Sequence, residues 1–251
     1  MISVRTPVDF SQARLLIFDL DGTLIDSRED LANTANHMRV ALGLLPLDHG
    51  TIFSYVGDGA RLLVQRLLDH STDDAVVDRG LQIFLNFYRD HMLEHTVLYP
   101  GVLEGLEGLS LSSDGARRTF VVLSNKPVRS SRMILEGLGV SDFFRYIYGG
   151  NSFELKKPDP MGIHTILDET GLPARAALMV GDSDVDVLTG RNAGVATCGV
   201  TYGLGSEKMM QTPPDVYVDD LRELAALLNG QTLPADEHRA GTHTPTTNLG
   251  F

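Results

Sequence analysis

The chain has 251 residues, 43% hydrophobic and 22% charged, enough apolar material to close a sizeable core and too little bias for a fibrous or unfolded chain. A formal net charge of −12 speaks against nucleic acid as a partner, because that binding rests on Lys and Arg neutralising phosphates. The lone cysteine, Cys198, excludes an intramolecular disulfide, and no run approaches the roughly 18 apolar residues of a membrane span. The expectation is a cytoplasmic protein, monomer or homodimer, with no membrane partner and a small molecule as ligand; an acidic chain that binds an anion must then supply positive charge locally, for which a divalent cation is the obvious source.

The first apolar run, Arg14–Leu20, is continuous rather than alternating, as in a strand buried on both faces of a parallel sheet. Its early interruption by Asp19 and Asp21 also removes any signal-peptide pattern. The run ends in Asp19-Leu20-Asp21-Gly22-Thr23-Leu24. Two carboxylates this close repel unless a cation lies between them, and ligands of open α/β sheets collect where this pair falls, at the carboxyl ends of strands. Gly22 lets the chain turn sharply enough to bring backbone N–H groups toward an anion. An acidic turn at a strand end is the plainer reading of the same residues.

Residues 27–98 contain no buried strand. Amphipathic helical stretches at Asp30–Leu42, Gly59–Asp69 and Ala75–Leu93 are punctuated by Gly43, Pro46, Gly50 and Gly57. The pattern predicts a helical cap at 27–98 inserted into an α/β core made of residues 1–26 and 99–230, with Pro100-Gly101 marking the return; a single domain with a few long surface helices is the plainer alternative. Leu62, Leu63, Leu67, Phe84, Leu85 and Phe87 are candidates for a small core of its own. His91 and His95, four apart, read as a helix-surface pair, since a zinc site needs three or four ligands. Gly57-Asp58-Gly59 has neither the third glycine nor the leading strand of a dinucleotide fingerprint.

Four further apolar runs follow, Thr119–Ser124, Tyr146–Gly149, Ala176–Gly181 and Val195–Val200, alternating with helical patterns such as Ser131–Leu138 and Pro160–Thr170. This rhythm predicts an α/β, doubly wound, Rossmann-like parallel sheet, with Cys198 as a core residue. Polar groups again follow the runs. Ser124-Asn125-Lys126 offers a hydroxyl and an amide; Lys156-Lys157-Pro158 sets a lysine before a helix N-terminus; Gly181-Asp182-Ser183-Asp184-Val185-Asp186 adds carboxylates. Singly, each is an ordinary turn residue or solvated charge. Their order and shared strand-end placement are what is specific. Residues 231–251, rich in Thr and Pro and without periodicity, read as a polar, mobile tail.

The four motifs, Asp19-Leu20-Asp21-Gly22-Thr23, Ser124-Asn125, Lys157-Pro158 and Gly181-Asp182-Ser183 with Asp186, together resemble the haloacid-dehalogenase-like hydrolase superfamily. With the helical cap they look most like its phosphoglycolate phosphatase group, and Val56-Gly57-Asp58-Gly59-Ala60, Arg191-Asn192-Ala193-Gly194 and Gly199–Gly203 are similar in the same order. The resemblance implies a Mg2+-dependent phosphomonoester hydrolase that works through an aspartyl phosphate. Asp19 would be the nucleophile and Asp21 the general acid and base, with Lys157 supporting catalysis. Thr23, Ser124, Asn125 and Lys157 would hold the phosphoryl group. Asp19, Asp182 and the backbone carbonyl of Asp21 would bind Mg2+, with Asp186 orienting a water or Lys157 from behind. Lys156 and Asp184 would be solvated or structural neighbours. If 2-phosphoglycolate is the substrate, the Val56–Ala60 loop with Arg61 or Arg66 is the candidate site for its carboxylate. Other small phosphates (pyrophosphate, a nucleoside monophosphate, a sugar phosphate), a β-phosphoglucomutase-like mutase and a non-catalytic binding module stay open on sequence; a dehalogenase does not fit, since that chemistry needs neither Mg2+ nor an acid at Asp21.

Overall fold

Leu15, Leu16, Ile17 and Phe18 have no solvent exposure, the condition of a strand whose sheet is covered on both faces. In the computed structural model, which describes residues 2–5 and 10–231, they form β2, after a short β1 (Ser3–Val4). The later strands are β3 (Ile25–Asp26), β4 (Val97–Leu98), β5 (Thr119–Leu123), β6 (Phe144–Tyr148), β7 (Ala177–Gly181), β8 (Ala196–Val200) and β9 (Val216–Val218). Seven of them make one sheet in the order β1-β9-β8-β7-β2-β5-β6, parallel throughout except for β1 on β9. The α/β parallel sheet expected from the apolar runs is present.

Successive β2 side chains face opposite ways. Leu16 and Phe18 join the larger core, while Leu15 and Ile17 pack with Val121, Leu123 and with Ile163 and Ile166 of a helix at Met161–Thr170. The run assigned to Tyr146–Gly149 begins earlier, at Phe144, because that ring is buried against Phe18 and Phe120, with centroids 6.1 and 6.5 Å apart. This is a tertiary contact with no local signature. Strands β1, β3, β4 and β9 are too short to carry a period and were not expected.

Between β3 and β4 lie four helices: α1 (Arg28–Ala41), α2 (His49–Ser54), α3 (Ala60–Leu67) and α4 (Asp74–His91). α2, six residues long, has no expected counterpart. β3 and β4 pair antiparallel, Ile25 with Leu98 and Asp26 with Val97, so the chain leaves and re-enters the core through one two-stranded ribbon. The helices bury Met38, Ile52, Leu63, Leu67 and Phe84 among themselves. Leu62 is exposed and Leu85 half-buried, while the Phe87 ring is stacked between His37 and His91 at 3.8 and 3.9 Å. The histidine pair is also corrected. α4 ends at His91, and His95 lies beyond it, against Asp30. The tail expected at 231–251 falls outside the described residues apart from Gln231.

Asp30, in the first turn of α1, ties the outgoing helix to the incoming strand. Its side chain is fully buried and accepts hydrogen bonds from the backbone N–H groups of His95 (3.0 and 3.1 Å) and Thr96 (2.9 Å), from the Thr96 hydroxyl (2.7 Å) and from His95 Nδ1 (2.9 Å). Burial alone would raise this carboxyl; the donors outweigh it and hold Asp30 below the usual aspartate value, while its hydrogen bond to His95 raises the imidazole. A lowered acid contributes stability above its unfolded value, near 3.9, and loses it as pH falls through the lower folded value; a raised imidazole contributes below about 6.5 and loses it as pH rises through the higher folded value. Asp30→Asn should therefore cost roughly 2 kcal/mol. Its deficit from wild type in urea unfolding should be greatest between about pH 4 and 6.5 and shrink on either side; a pH-independent deficit would contradict the clamp.

Candidate active site

The β2 register sets Phe18 opposite Val122 of β5 and Val180 of β7. The residues that leave these three strands therefore emerge side by side at one edge of the sheet: Asp19, Ser124 and Asp182. The Asp19 N–H still donates to the Val180 carbonyl (2.9 Å), so the ladder holds the first carboxylate in place. The chain then turns at Gly22, whose φ of +87° is left-handed; a Cβ there would lie 2.3 Å from Asp182 Oδ2. Gly203, in the loop after β8, presses on the same side chain beside Gly22, and a Cβ there would lie 2.2 Å from Asp182 Cβ. Only hydrogen fits at either place.

Asp182 Oδ2 accepts the N–H groups of Leu204 (2.7 Å) and Gly205 (2.9 Å), and Oδ1 accepts the Thr23 hydroxyl (3.2 Å). Asp186 lies in the first turn of a helix at Asp184–Asn192. Its Oδ2 accepts from Ser183 N–H (3.1 Å) and Oγ (2.7 Å), a capping box that fixes its orientation, and Oδ1 meets Lys157 Nζ at 2.6 Å. The same Nζ is 2.9 Å from Asp19 Oδ1.

Asp19, Asp182 and Asp186 each bring a carboxylate oxygen within 4.8 Å of the others, with Lys157 as the ammonium among them. Burial raises Asp19 to about 6, against the pull of Lys157, and raises Asp182 to about 8 with the added repulsion of Asp186 and Asp19. Burial works against charge on Lys157, but Asp186 and Asp19 outweigh it and keep the amine protonated. Asp19 Oδ1 is buried without an aligned hydrogen bond among the described residues, despite the nearby ammonium. A surplus of buried negative charge that Lys157 only partly offsets, and an all-oxygen donor set, fit a hard divalent cation between Asp19 and Asp182.

Asp21 belongs to a separate ion pair. Its two oxygens meet Lys126 Nζ at 2.9 and 3.1 Å, and Ser27 Oγ donates to it at 2.5 Å. Asp21 and Lys126 border a cavity of about 50 Å3 between the strand ends and the helical segment, which contributes Val56, Leu63, Phe84 and Tyr88. Ser124 and Asn125 also line it. Asn125 Nδ2 donates to Gly57 O and Lys157 O, both at 3.1 Å, so this amide bridges the Gly57 loop to the core. Thr23 is fully buried, outside the cavity, and supports Asp182. Asp184 is half-buried and Lys156 exposed. Neither arginine considered for a substrate carboxylate reaches the cavity: Arg61 pairs outside it with Asp74 (2.6 Å) and Asp78, and Arg66 with Asp58 (2.6 Å). Sequence reasoning passed over Lys126, although it directly follows Ser124-Asn125, and over Tyr88, which reads as one more apolar helix position.

The profile of the haloacid dehalogenase-like hydrolases matches residues 16–200. The phosphoglycolate phosphatase of Pseudomonas fluorescens is 38% identical over 218 residues, 84% of this chain and 78% of that protein. That of Chromobacterium violaceum is 37% identical over 88% of this chain and 99% of its own. The crystal structure of a predicted phosphoglycolate phosphatase from Haemophilus somnus superposes with a TM-score of 0.80 at 30% identity, over 86% of this chain and 98% of the other. The chain belongs to the haloacid dehalogenase-like hydrolase family. It is an enzyme of the phosphoric monoester hydrolase class.

If the close packing of Gly203 on Asp182 sets the carboxylate's position, Gly203→Ala should displace it by a few tenths of an ångström or more and lower phosphatase kcat on the order of 100-fold, with the far-UV circular dichroism spectrum unchanged. Wild-type turnover in the folded variant would refute that role.

Proposed function

We propose that the enzyme is a Mg2+-dependent phosphatase that forms an aspartyl phosphate on Asp19, and that its substrate is 2-phosphoglycolate. The observation that carries this reading is the division of four acidic side chains into two electrostatic settings. Asp19 and Asp186 share Lys157 with Asp182 clustered beside them, whereas Asp21 pairs with Lys126 and Ser27. A nucleophile and a proton carrier need such separation, because one must stay ionised while the other alternates between two protonation states.

In this reading an Asp19 oxygen attacks phosphorus, the ester oxygen departs, and Asp21 gives it a proton. Asp21 then takes a proton from the water that attacks the acyl phosphate, which releases inorganic phosphate and restores Asp19. Ser124 and Lys157 supply donors to the phosphoryl oxygens, with Asp186 holding Lys157 in place and Asn125 closing the Gly57 loop over the site. Asp19, Asp182 and the backbone carbonyl of Asp21 would hold Mg2+, which when bound offsets the negative charge of the phosphoryl group. Residues 27–98 act as a cap that excludes water. The preference for 2-phosphoglycolate is supported by the names of the relatives, and the cavity beside Asp21 is the place for its leaving group.

The decisive measurement is multiple-turnover phosphate release with Mg2+ from 2-phosphoglycolate, pyrophosphate, nucleoside monophosphates and sugar phosphates. 2-Phosphoglycolate should have the highest kcat/KM, chelation should stop turnover, and Asp19→Asn should lower kcat by at least about 10^4. Substantial activity in Asp19→Asn would remove the nucleophile from the scheme. The raised carboxyls give a second expectation. With folded values of about 6 and 8 for Asp19 and Asp182, both above their unfolded ones, the metal-free fold holds extra protons and loses stability as pH rises from the ordinary aspartate range toward 8. Ligation requires those protons to leave. Mg2+ should raise Tm strongly at pH 8 and progressively less toward pH 6, with proton release visible in titration calorimetry; an equal effect at both pH values would argue against a site between these carboxylates.

A further inference from the structure

Tyr88 lies in α4, only 3% exposed, with its hydroxyl buried and without an aligned hydrogen bond among the described residues, the Lys126 ammonium being close by. A buried phenol normally finds a partner, because it has left water and gained nothing in return. Tyr88 is one of the residues lining the cavity that Asp21 and Lys126 border, with its hydroxyl just behind the wall, and the Lys126 ammonium sits over its ring, 4.6 Å from the centroid. Burial pushes the phenol up to about 12, despite the pull of Lys126, so the oxygen carries its proton at neutral pH and is available as a donor. Lys126 is the one cation among the described residues that line the cavity. Burial opposes its charge, but Asp21 and Tyr88 more than offset that, and the amine stays protonated. The remaining wall is largely apolar, with Leu31, Leu63, Phe84 and Leu85, which strengthens any charge-assisted hydrogen bond formed inside.

We infer that the Tyr88 hydroxyl and the Lys126 ammonium together form the receptor for a carboxylate on the leaving group, and so set the enzyme's preference for anionic, short-chain phosphate esters. The inference rests on the phosphatase reading above and names the residues that recognise the substrate there. The arginines that seemed suited to this task are occupied outside the cavity by Asp58, Asp74 and Asp78. Lys126 is bound to Asp21 as well, so the anion is recognised beside the proton carrier, and a substrate seated on Lys126 and Tyr88 has its ester oxygen delivered toward Asp21.

The test compares 2-phosphoglycolate with ethyl phosphate, which keeps the ester and replaces the carboxylate by a methyl group. In the wild type, kcat/KM should favour 2-phosphoglycolate by at least tenfold, and glycolate should inhibit competitively where ethanol does not. In Tyr88→Phe the preference should drop tenfold or more, mainly through KM, and the glycolate inhibition constant should rise by a similar factor. Lys126→Met should lower turnover of both esters, because Asp21 loses its partner, yet reduce the preference in the same direction. A wild type that does not distinguish the two esters would overturn the 2-phosphoglycolate reading and the receptor with it. A wild type that distinguishes them, together with a folded Tyr88→Phe that keeps both the preference and the glycolate inhibition, would overturn the receptor alone. Should Tyr88→Phe fail to fold, Lys126→Met and the wild-type glycolate inhibition decide: an unchanged preference or absent inhibition counts against the receptor.

Discussion

Like-charge crowding in a buried place is the constraint from which the rest of the molecule follows. Three parallel strands end at one edge of the sheet, and their register forces Asp19 and Asp182 to share a volume with Asp186. Isolated carboxylates cannot stay ionised there. The surrounding structure offsets part of the repulsion: Lys157 between two of them, two backbone N–H groups and a threonine hydroxyl on Asp182, and a capping box on Asp186. What is left over, seen in the raised Asp19 and Asp182, is a surplus of buried negative charge that a cation would offset. A site that is complete without a ligand would have no reason to bind one.

Asp21 is two residues from Asp19 yet pairs with a different ammonium. The turn at Gly22 and the start of α1 place it against Ser27 and Lys126, on the side where the helical segment closes the cavity. Because β3 and β4 run side by side, the position of four helices over the strand ends depends on one narrow ribbon and on the Asp30 clamp beside it. Asn125 adds a second tie, from strand end to Gly57 loop. The strand ends and the helical segment are thus joined by identifiable hydrogen bonds as well as by one shared apolar core.

Much of this was legible in the chain. Continuous apolar runs broken by Asp19, Ser124 and Asp182 mark strands that end in polar groups, and a strand buried on both faces has few other ways to be written. The long helices between residues 27 and 98 announced themselves by period, though Leu62 and Phe87 did not join the interior as expected, since their facing depends on how α3 and α4 meet neighbouring helices. The two-residue strands β3 and β4 carry no pattern at all and exist only through each other. Arg61 and Arg66 lay close in sequence to the Gly57 loop, but acidic neighbours on the same segment hold them outside.

Sequence by itself determined the class of fold, the strand-end position of the acidic and hydroxyl groups, and the family, because periodicity and motif order are local properties of a chain. Tertiary structure alone decided which of those groups meet. Lys157 lies 138 residues from Asp19, and Lys126 105 from Asp21; no local rule fixes such pairings, which come from strand register and from the route of the chain between strands. The same is true of Tyr88. Its hydroxyl is ordinary on a helix and becomes informative only once packing has buried it without an aligned hydrogen bond among the described residues.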